Sequence, residues 1–288
     1  MGSKGDREVE EHSVLAIVTL FRRPRNTLQI VEALRKQTHP CKIVVVDNSP
    51  ADYGDRRDYV RYGKARQGLD NLHDSGRIDD IWRWTKNSGP PCRFAPAFMR
   101  HDCQYVAFFD DDLLPRPKVI EHYLDTADQL QGRFATLGQV GRQFANDSGK
   151  WEYVRQNVKL QRDQPTPVDM TARAHFTWAS HMPYVFMFKW QLLATFGSGL
   201  SYWEDDLLLC CGAQRGCGYP SYLIPATDDT DNRIKTWGMN DAHAYGAHPD
   251  HVDRRSELIQ CAATLGWQSK WAKITRKQEE RTRLETGT

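Results

Sequence analysis

The chain has 288 residues, of which 40% are hydrophobic and 26% charged, with a formal net charge of +2. These proportions are ordinary for a folded protein, and a net charge of +2 gives no bulk argument for a polyanionic partner. A chain this long buries about three quarters of its unfolded surface, so it needs neither a disulfide nor a metal staple to fold.

The seven cysteines form no CxxC pair, which argues against a zinc site. Cys210 and Cys211 lie in an apolar run and read as small core residues, which points to a reducing compartment. Residues 1–12 are polar, without the apolar centre of a signal peptide, and are expected to be flexible. The longest apolar runs are strand-sized and too short to cross a bilayer, so a cytoplasmic protein with no membrane segment is expected.

Val14–Phe21 is a continuous apolar, β-branched run, the pattern of a parallel strand buried on both faces. Arg22–Asn26 breaks it, and apolar residues at 28, 30, 31 and 34 predict a helix over Thr27–Gln37. Lys42–Asp47 is a second buried strand, which makes a right-handed βαβ unit. Tyr105–Phe109 is a third, stopping at Asp110, Asp111 and Asp112, and Pro115–Gln131 reads as a helix. Phe134–Gly138 is a strand candidate, and 141–170 suggests a hairpin or an irregular excursion. Tyr184–Phe188 reads as a strand and Lys189–Phe196 as a short helix. Asp205–Gln214 is a helix opening on acids, which suits the positive end of its dipole. Tyr222–Pro225 is expected to close the sheet, with helices over Ser256–Leu265 and Ser269–Arg283. No repeat or linker interrupts the pattern. The expectation is one α/β domain over 13–265, a Rossmann-like open and mostly parallel sheet with helices on both faces, followed by a basic helical tail over 266–288.

In an open parallel sheet, ligands bind at the carboxyl edge of the strands. Two of the three buried strands end on acids there, Asp47 and the Asp110–Asp112 triplet. Adjacent carboxylates repel unless they share a cation, and Mg²⁺ commonly takes one or two carboxylates plus substrate phosphates. A solvated acidic turn is the alternative.

Four elements in order resemble family 2 glycosyltransferases of the GT-A fold. They are a first strand ending in Thr19 with basic residues after it, a second ending at Asp47 and Asn48, the strand end Phe109-Asp110-Asp111-Asp112, and Trp203-Glu204-Asp205-Asp206-Leu207. The segment Asn87-Ser88-Gly89…Arg93 is also similar to the family's Asn-x-Gly…Arg loop. The resemblance covers roughly residues 13 to 225. It implies an enzyme that transfers a sugar, glucose foremost, from a UDP-linked donor with a divalent metal, Mn²⁺ or Mg²⁺. Under it, Asp47 and Thr19 face the base, and Asn87 and Arg93 line the nucleotide site. Asp110 lies near the ribose and can join the metal, Asp112 binds the metal, and Asp111 could substitute. Asp205 is the general base, with Glu204 or Asp206 orienting it or the acceptor. GT-A enzymes often add a late histidine to the metal; His243 is preferred here over His248 and His251.

The chemistry asks for this set. A departing nucleoside diphosphate carries negative charge that a metal neutralises, and an attacking hydroxyl needs a carboxylate base. A base opposite the leaving group predicts inversion by single displacement. The Gln-x-x-Arg-Trp pattern of processive synthases is missing, which favours transfer of a single sugar.

The acceptor is less legible. Trp82-Arg83-Trp84 and Trp267–Trp271 could stack bases or sugars, or be buried in the core. In size and layout the chain resembles compact viral GT-A enzymes that glycosylate hydroxymethylated pyrimidines in DNA. That resemblance implies double-stranded DNA as partner and, for a viral protein, the host cytoplasm as location. A cell-surface glycan precursor or a protein is the alternative acceptor. A nucleotidyltransferase is a further reading, although the loop Phe21–Asn26 has no glycine to cradle a triphosphate.

Overall fold

The computed structural model describes residues 12–49, 56–100, 102–146, 151–155, 158, 161, 163–197, 204–229, 233–236 and 251–271. In chain order the elements are β1 (Val14–Leu20), α1 (Pro24–Leu34), β2 (Lys42–Asp47), α2 (Arg56–Asp74), β3 (Asp80–Arg83), a 3₁₀ turn over Pro90–Arg93 that runs into α3 (Phe94–Met99), and β4 (Tyr105–Phe109). Then come β5 (Leu113–Pro115), α4 (Val119–Gln129), β6 (Leu137–Gly138), β7 (Val140–Asn146), β8 (Trp151–Arg155), β9 (Thr166–Val168), β10 (Met170–Ala172) and β11 (Ala174–Trp178). The chain continues through a 3₁₀ turn, Ala179–His181, into α5 (Met182–Phe196), α6 (Asp205–Cys217), β12 (Ser221–Leu223), β13 (Ile234–Thr236) and α7 (His251–Thr264).

The main sheet has eight strands in the order β3-β2-β1-β4-β11-β6-β12-β9. β11 and β9 run against their neighbours and the other strands are mutually parallel. This is the open, mostly parallel sheet expected from the sequence. Because side chains alternate along a strand, each strand feeds two cores. Val14, Ala16, Val18, Ile43, Val45, Tyr105, Ala107 and Phe109 pack with Ile30, Val31, Leu69, Ile120 and Tyr123 of α1, α2 and α4. Leu15, Ile17, Val44, Val46, Val106 and Phe108 pack on the other face with residues of α3, α5, α6 and α7.

Several boundaries differ from the sequence reading, each for a physical reason. α1 begins at Pro24, inside the expected break, because a proline is tolerated in the first helical turn where its missing N–H has no partner to lose. Leu113–Pro115 forms a strand against Ile234–Thr236, a long-range pairing that local pattern cannot show, so α4 starts only at Val119. Its Ile120 amide donates to Gln37 Oε1. The Phe134–Gly138 candidate shrinks to Leu137–Gly138. Tyr184–Phe188 is helical, not extended. A run apolar all round looks alike for a buried strand and a buried helix, and here tertiary packing decides. Gly212 and Gly216 of α6 let α5 lie so close that a Cβ at Gly212 would sit 2.7 Å from Val185 Cα. The sheet is closed by β9, with Tyr222 one strand inside it. The hairpin expected within 141–170 is present as β7 and β8.

All seven cysteines are free and all but Cys217 are buried. Among the described residues, no helix is long and apolar enough to cross a membrane.

Candidate active site

Parallel register brings the carboxyl ends of the central strands to one edge. Leu20 pairs with Asp47, Asp47 with Arg83, and Val18 with Phe109, so Thr19, Asp47 and Asp110 end neighbouring strands. Alternation then sends their side chains to different faces.

Asp47 continues the α2 face and is buried. Tyr62 donates to its Oδ1 at 2.5 Å, as does the Ser49 amide at 3.1 Å, while Arg66 Nε donates to Oδ2 at 2.6 Å. Thr19 ends the opposite face. Its buried Oγ1 has no hydrogen-bond partner among the described residues, an orphan hydroxyl at the strand-end edge. Beside them, Asn48 Nδ2 donates to Asn87 Oδ1 at 3.0 Å and to the Gly89 carbonyl at 3.1 Å, and Asn48 Oδ1 accepts from the Ser88 amide. Gly89 sits at φ +75°, where a side chain would be strained, so the Asn87–Arg93 loop needs glycine there.

Arg93 is the pivot of the site. Its side chain is 1% exposed, yet it carries a guanidinium. Nη1 donates to Asp110 Oδ1 at 2.5 Å, Nη2 is ion-paired with Asp205 Oδ2, and Asp206 Oδ1 lies 3.5 Å from Nη2. A buried charge is tolerable only when paired, and these three carboxylates are the pairing. They also raise its pKa further, overcoming the opposing effect of burial. Asp205 and Asp206 open α6, where the helix dipole favours anions. Glu204 precedes them at the N-cap position, buried and bound by Arg255 Nε of α7 at 2.7 Å, with Arg255 Nη2 3.7 Å from Asp206 Oδ2. The carboxylates do not titrate alike. Burial pushes Asp205 up to about 7 against the pull of Arg93, with Asp206 adding to the rise. Asp206 feels the same burial but is held below the carboxylate range by His175, Arg255 and Arg93.

The three strand-end acids have separate surroundings. Asp111 is turned into the β1–α1 loop, its Oδ2 accepting from the Phe21 amide and its Oδ1 from Arg23 Nη1, both at 2.7 Å. That clamp holds Arg22 in the left-handed region at φ 63°. Both oxygens of Asp111 are thus hydrogen-bonded within the protein, and the side chain clasps the β1–α1 loop. Asp110 is the open member, its side chain 39% exposed. Asp112 lies partly exposed beside Arg23 Nη1, at 3.4 Å. Among the described residues no group of three or more His, Cys, Asp or Glu is gathered as a metal site. Asp110, turned to Arg93, and Asp112, beside Arg23, carry the oxygen ligands that a hard cation takes, which phosphates could complete. His243 and Trp203 lie outside the described residues.

Arg93, Asp110, Asp205 and Asp206 are thus brought into direct contact, with Glu204 adjoining them through Arg255. Asp47, Thr19 and Asn87 sit along the same edge. Two participants escaped the sequence reading: His175 on β11, whose Nε2 bonds Asp206 Oδ1 at 2.7 Å, and Arg255. Neither lies near a motif, so only tertiary structure reveals them. Of the tryptophans, Trp267 is fully buried and donates to Gln214 Oε1, and Trp271 donates to the Phe144 carbonyl. Trp82 and Trp84 are half-buried against the core.

An open sheet with acids at the carboxyl edge of β2 and β4 and an acidic helix N-terminus beside them is the GT-A type of α/β architecture. Among solved structures, S. aureus TarS is similar, with a TM-score of 0.51 and 13% identity over 75% of this chain and 35% of that chain. S. aureus TarS 1-349 in complex with UDP has a TM-score of 0.50 at 13% identity, over 75% of this chain and 58% of that one. The chain therefore spans only about a third to three fifths of those proteins, and at this identity the likeness is one of fold. No protein-family model and no curated protein sequence matches it.

Proposed function

We propose that this chain is a glycosyltransferase that moves a single sugar from a nucleotide donor to an acceptor hydroxyl, with inversion. The observation that carries the reading is Arg93: one buried guanidinium ties the strand-end acid Asp110 to the helix-start acids Asp205 and Asp206. Donor-side and acceptor-side carboxylates are thereby held in one rigid unit, which is what a direct displacement requires. The presence of UDP in the complex of similarly folded TarS 1-349 supports a uridine nucleotide as donor.

In this reading Thr19, Asp47 and Asn87 line the nucleotide end, with Arg93 behind them. Asp110 and Asp112 would hold a divalent metal, which would supply positive charge against the diphosphate. Asp205 takes the proton of the acceptor hydroxyl as its oxygen bonds to the anomeric carbon, and the bond from that carbon to the diphosphate breaks with its electron pair leaving on the diphosphate. A base raised toward neutrality is suited to that task. Arg93 keeps Asp205 in place, and Asp206 and Glu204 orient the helix start.

The finer reading makes the donor UDP-glucose and the acceptor the hydroxyl of a 5-hydroxymethylpyrimidine in DNA. Its support is the basic segment Lys270–Arg283, which carries six lysines and arginines against two glutamates. The burial of Trp267 removes that residue as a stacking platform. The test is nucleoside diphosphate release from UDP- and GDP-sugars with Mn²⁺, with unmodified and hydroxymethylated DNA. Release stimulated only by the modified DNA supports both levels of the reading. Release indifferent to DNA keeps the transferase and overturns the acceptor. No release from any donor with DNA, glycan or protein acceptors overturns the transferase.

A further inference from the structure

His175 is fully buried on β11, and the hydrogen bonds around it bear on which of its ring nitrogens carry a proton. Trp267 Nε1 donates to Gln214 Oε1 at 2.8 Å, which orients the Gln214 amide so that Nε2 donates to Ser221 Oγ at 2.8 Å and to the Asp169 carbonyl at 2.7 Å. Thr136 Oγ1 also donates to Ser221 Oγ, at 2.7 Å. Its proton spent, Thr136 can only accept from Thr171 Oγ1, 3.0 Å away. Thr171 has then spent its own proton, so it accepts from His175 Nδ1 at 2.8 Å. Nε2 faces the Asp206 carboxylate at 2.7 Å and must carry a proton as well. In this arrangement, with Cys210 Sγ also 3.4 Å from both threonine hydroxyls, both ring nitrogens donate and the residue is an imidazolium. Burial alone would pull it toward neutrality, but Asp206 outweighs burial and raises it to about 10.

The chain places this group deliberately. Arg173, between β10 and β11, adopts φ 75°, a left-handed conformation that costs energy for a non-glycine residue, and brings Thr171 and His175 side chains together across the kink. The imidazolium then shares Asp206 Oδ1 with Arg93 Nη2, the same nitrogen that meets Asp205.

We propose that His175 is a positioning residue for the transfer reaction. From beneath the sheet it holds Asp206 on Arg93, and so fixes the angle at which Arg93 presents Asp205 to the acceptor. Its bearing on turnover rests on the glycosyltransferase reading, whereas its hold on Arg93 does not.

The test compares two polar variants that differ in which bond they keep. In His175→Gln the amide nitrogen reaches the Nε2 position and still bonds Asp206. In His175→Asn it reaches only the Nδ1 position, keeping Thr171 and losing Asp206. The first readout, independent of activity, is NMR exchange of the Arg93 guanidinium protons. They are expected to be slow in the native chain and His175→Gln, and fast in His175→Asn. The second is steady-state transfer with the sugar nucleotide that turns over. kcat is expected to fall about a hundredfold in His175→Asn, the scale of an ångström-level misplacement, and to stay within about tenfold in His175→Gln, with donor KM moving less than about threefold in both. Equal exchange and equal kcat in the two variants would overturn the proposal, as would a loss carried by donor KM. If either variant is unfolded by circular dichroism, Thr171→Val decides by the same exchange readout: faster Arg93 exchange supports the device, unchanged exchange overturns it. A native chain inactive with every donor would sink the transferase reading, and the exchange measurement would still decide the positioning.

Discussion

Asp47 and Asp205 are both buried carboxylates at the functional edge, and both meet an arginine, yet they are built in opposite ways. Asp47 draws its partners from Ser49, Tyr62 and Arg66, the next loop and helix along the chain. One carboxylate meets one cation and two neutral donors, so the group is at rest. Asp205 draws on residues 93, 110, 206 and 175, scattered over more than a hundred positions, in a cluster where acids outnumber cations. The first anchors a helix to a strand. The second gathers charge that its own cations only partly balance.

If that contrast is right, Asp205→Asn should be the most damaging change to turnover: a loss of at least about 10³-fold in transfer, with donor binding retained, measured by kinetics beside calorimetric titration of UDP. Near-normal turnover in this variant would remove Asp205 as base. Asp112→Ala should come next, abolishing the metal-dependent part of turnover and weakening nucleotide binding; EDTA should do the same to the native chain, and activity indifferent to EDTA would separate the strand-end acids from any metal. The pH profile sharpens the comparison further. A base must shed its proton, so the rate should climb as pH passes about 7, the value to which burial pushes Asp205. A rate already flat from pH 5 would assign the proton to another group.

Stability should respond in the opposite sense. The folded-state pKa of His175, about 10, lies above the unfolded value of about 6.5, so its contribution is complete below pH 6.5 and drains away as pH rises toward 10. The groups around it are Asp206, Thr171 and Cys210, with Asp110 and Asp205 also within electrostatic reach and Arg93 and Arg255 beyond Asp206. Melting temperature should therefore fall across that window, and His175→Gln should flatten the slope. The smallest effect belongs to the resting carboxylate. Tyr62→Phe removes one neutral donor from Asp47 while the Ser49 amide and Arg66 remain, and should cost about 1 kcal/mol in chemical denaturation. A cost several times larger would mean that Asp47 is as strained as Asp205.

What could be read in advance follows the same division. β1, β2 and β4 are apolar runs long enough to be unambiguous; Asp47 is the last residue of β2 and Asp110 the first after β4. α6 was visible from its acids. Tyr184–Phe188 reads equally as strand or helix because its unbroken apolar run carries no period, and the glycines that settle the matter lie in another helix. The Asp110–Asp112 triplet reads as one acidic cluster, but its members part: Asp110 meets Arg93, while Asp111 and Asp112 lie against Arg23.

The sequence by itself determined the α/β class, the buried parallel strands and the location of acids at their carboxyl ends, because periodicity and strand termini are local properties. Tertiary structure decided which acids share a cation, that β5 pairs with β13, and that His175 and Arg255 belong to the site. Those facts depend on contacts between residues far apart in the chain, and in low dielectric the neighbours of a buried charge, rather than its own identity, set its behaviour.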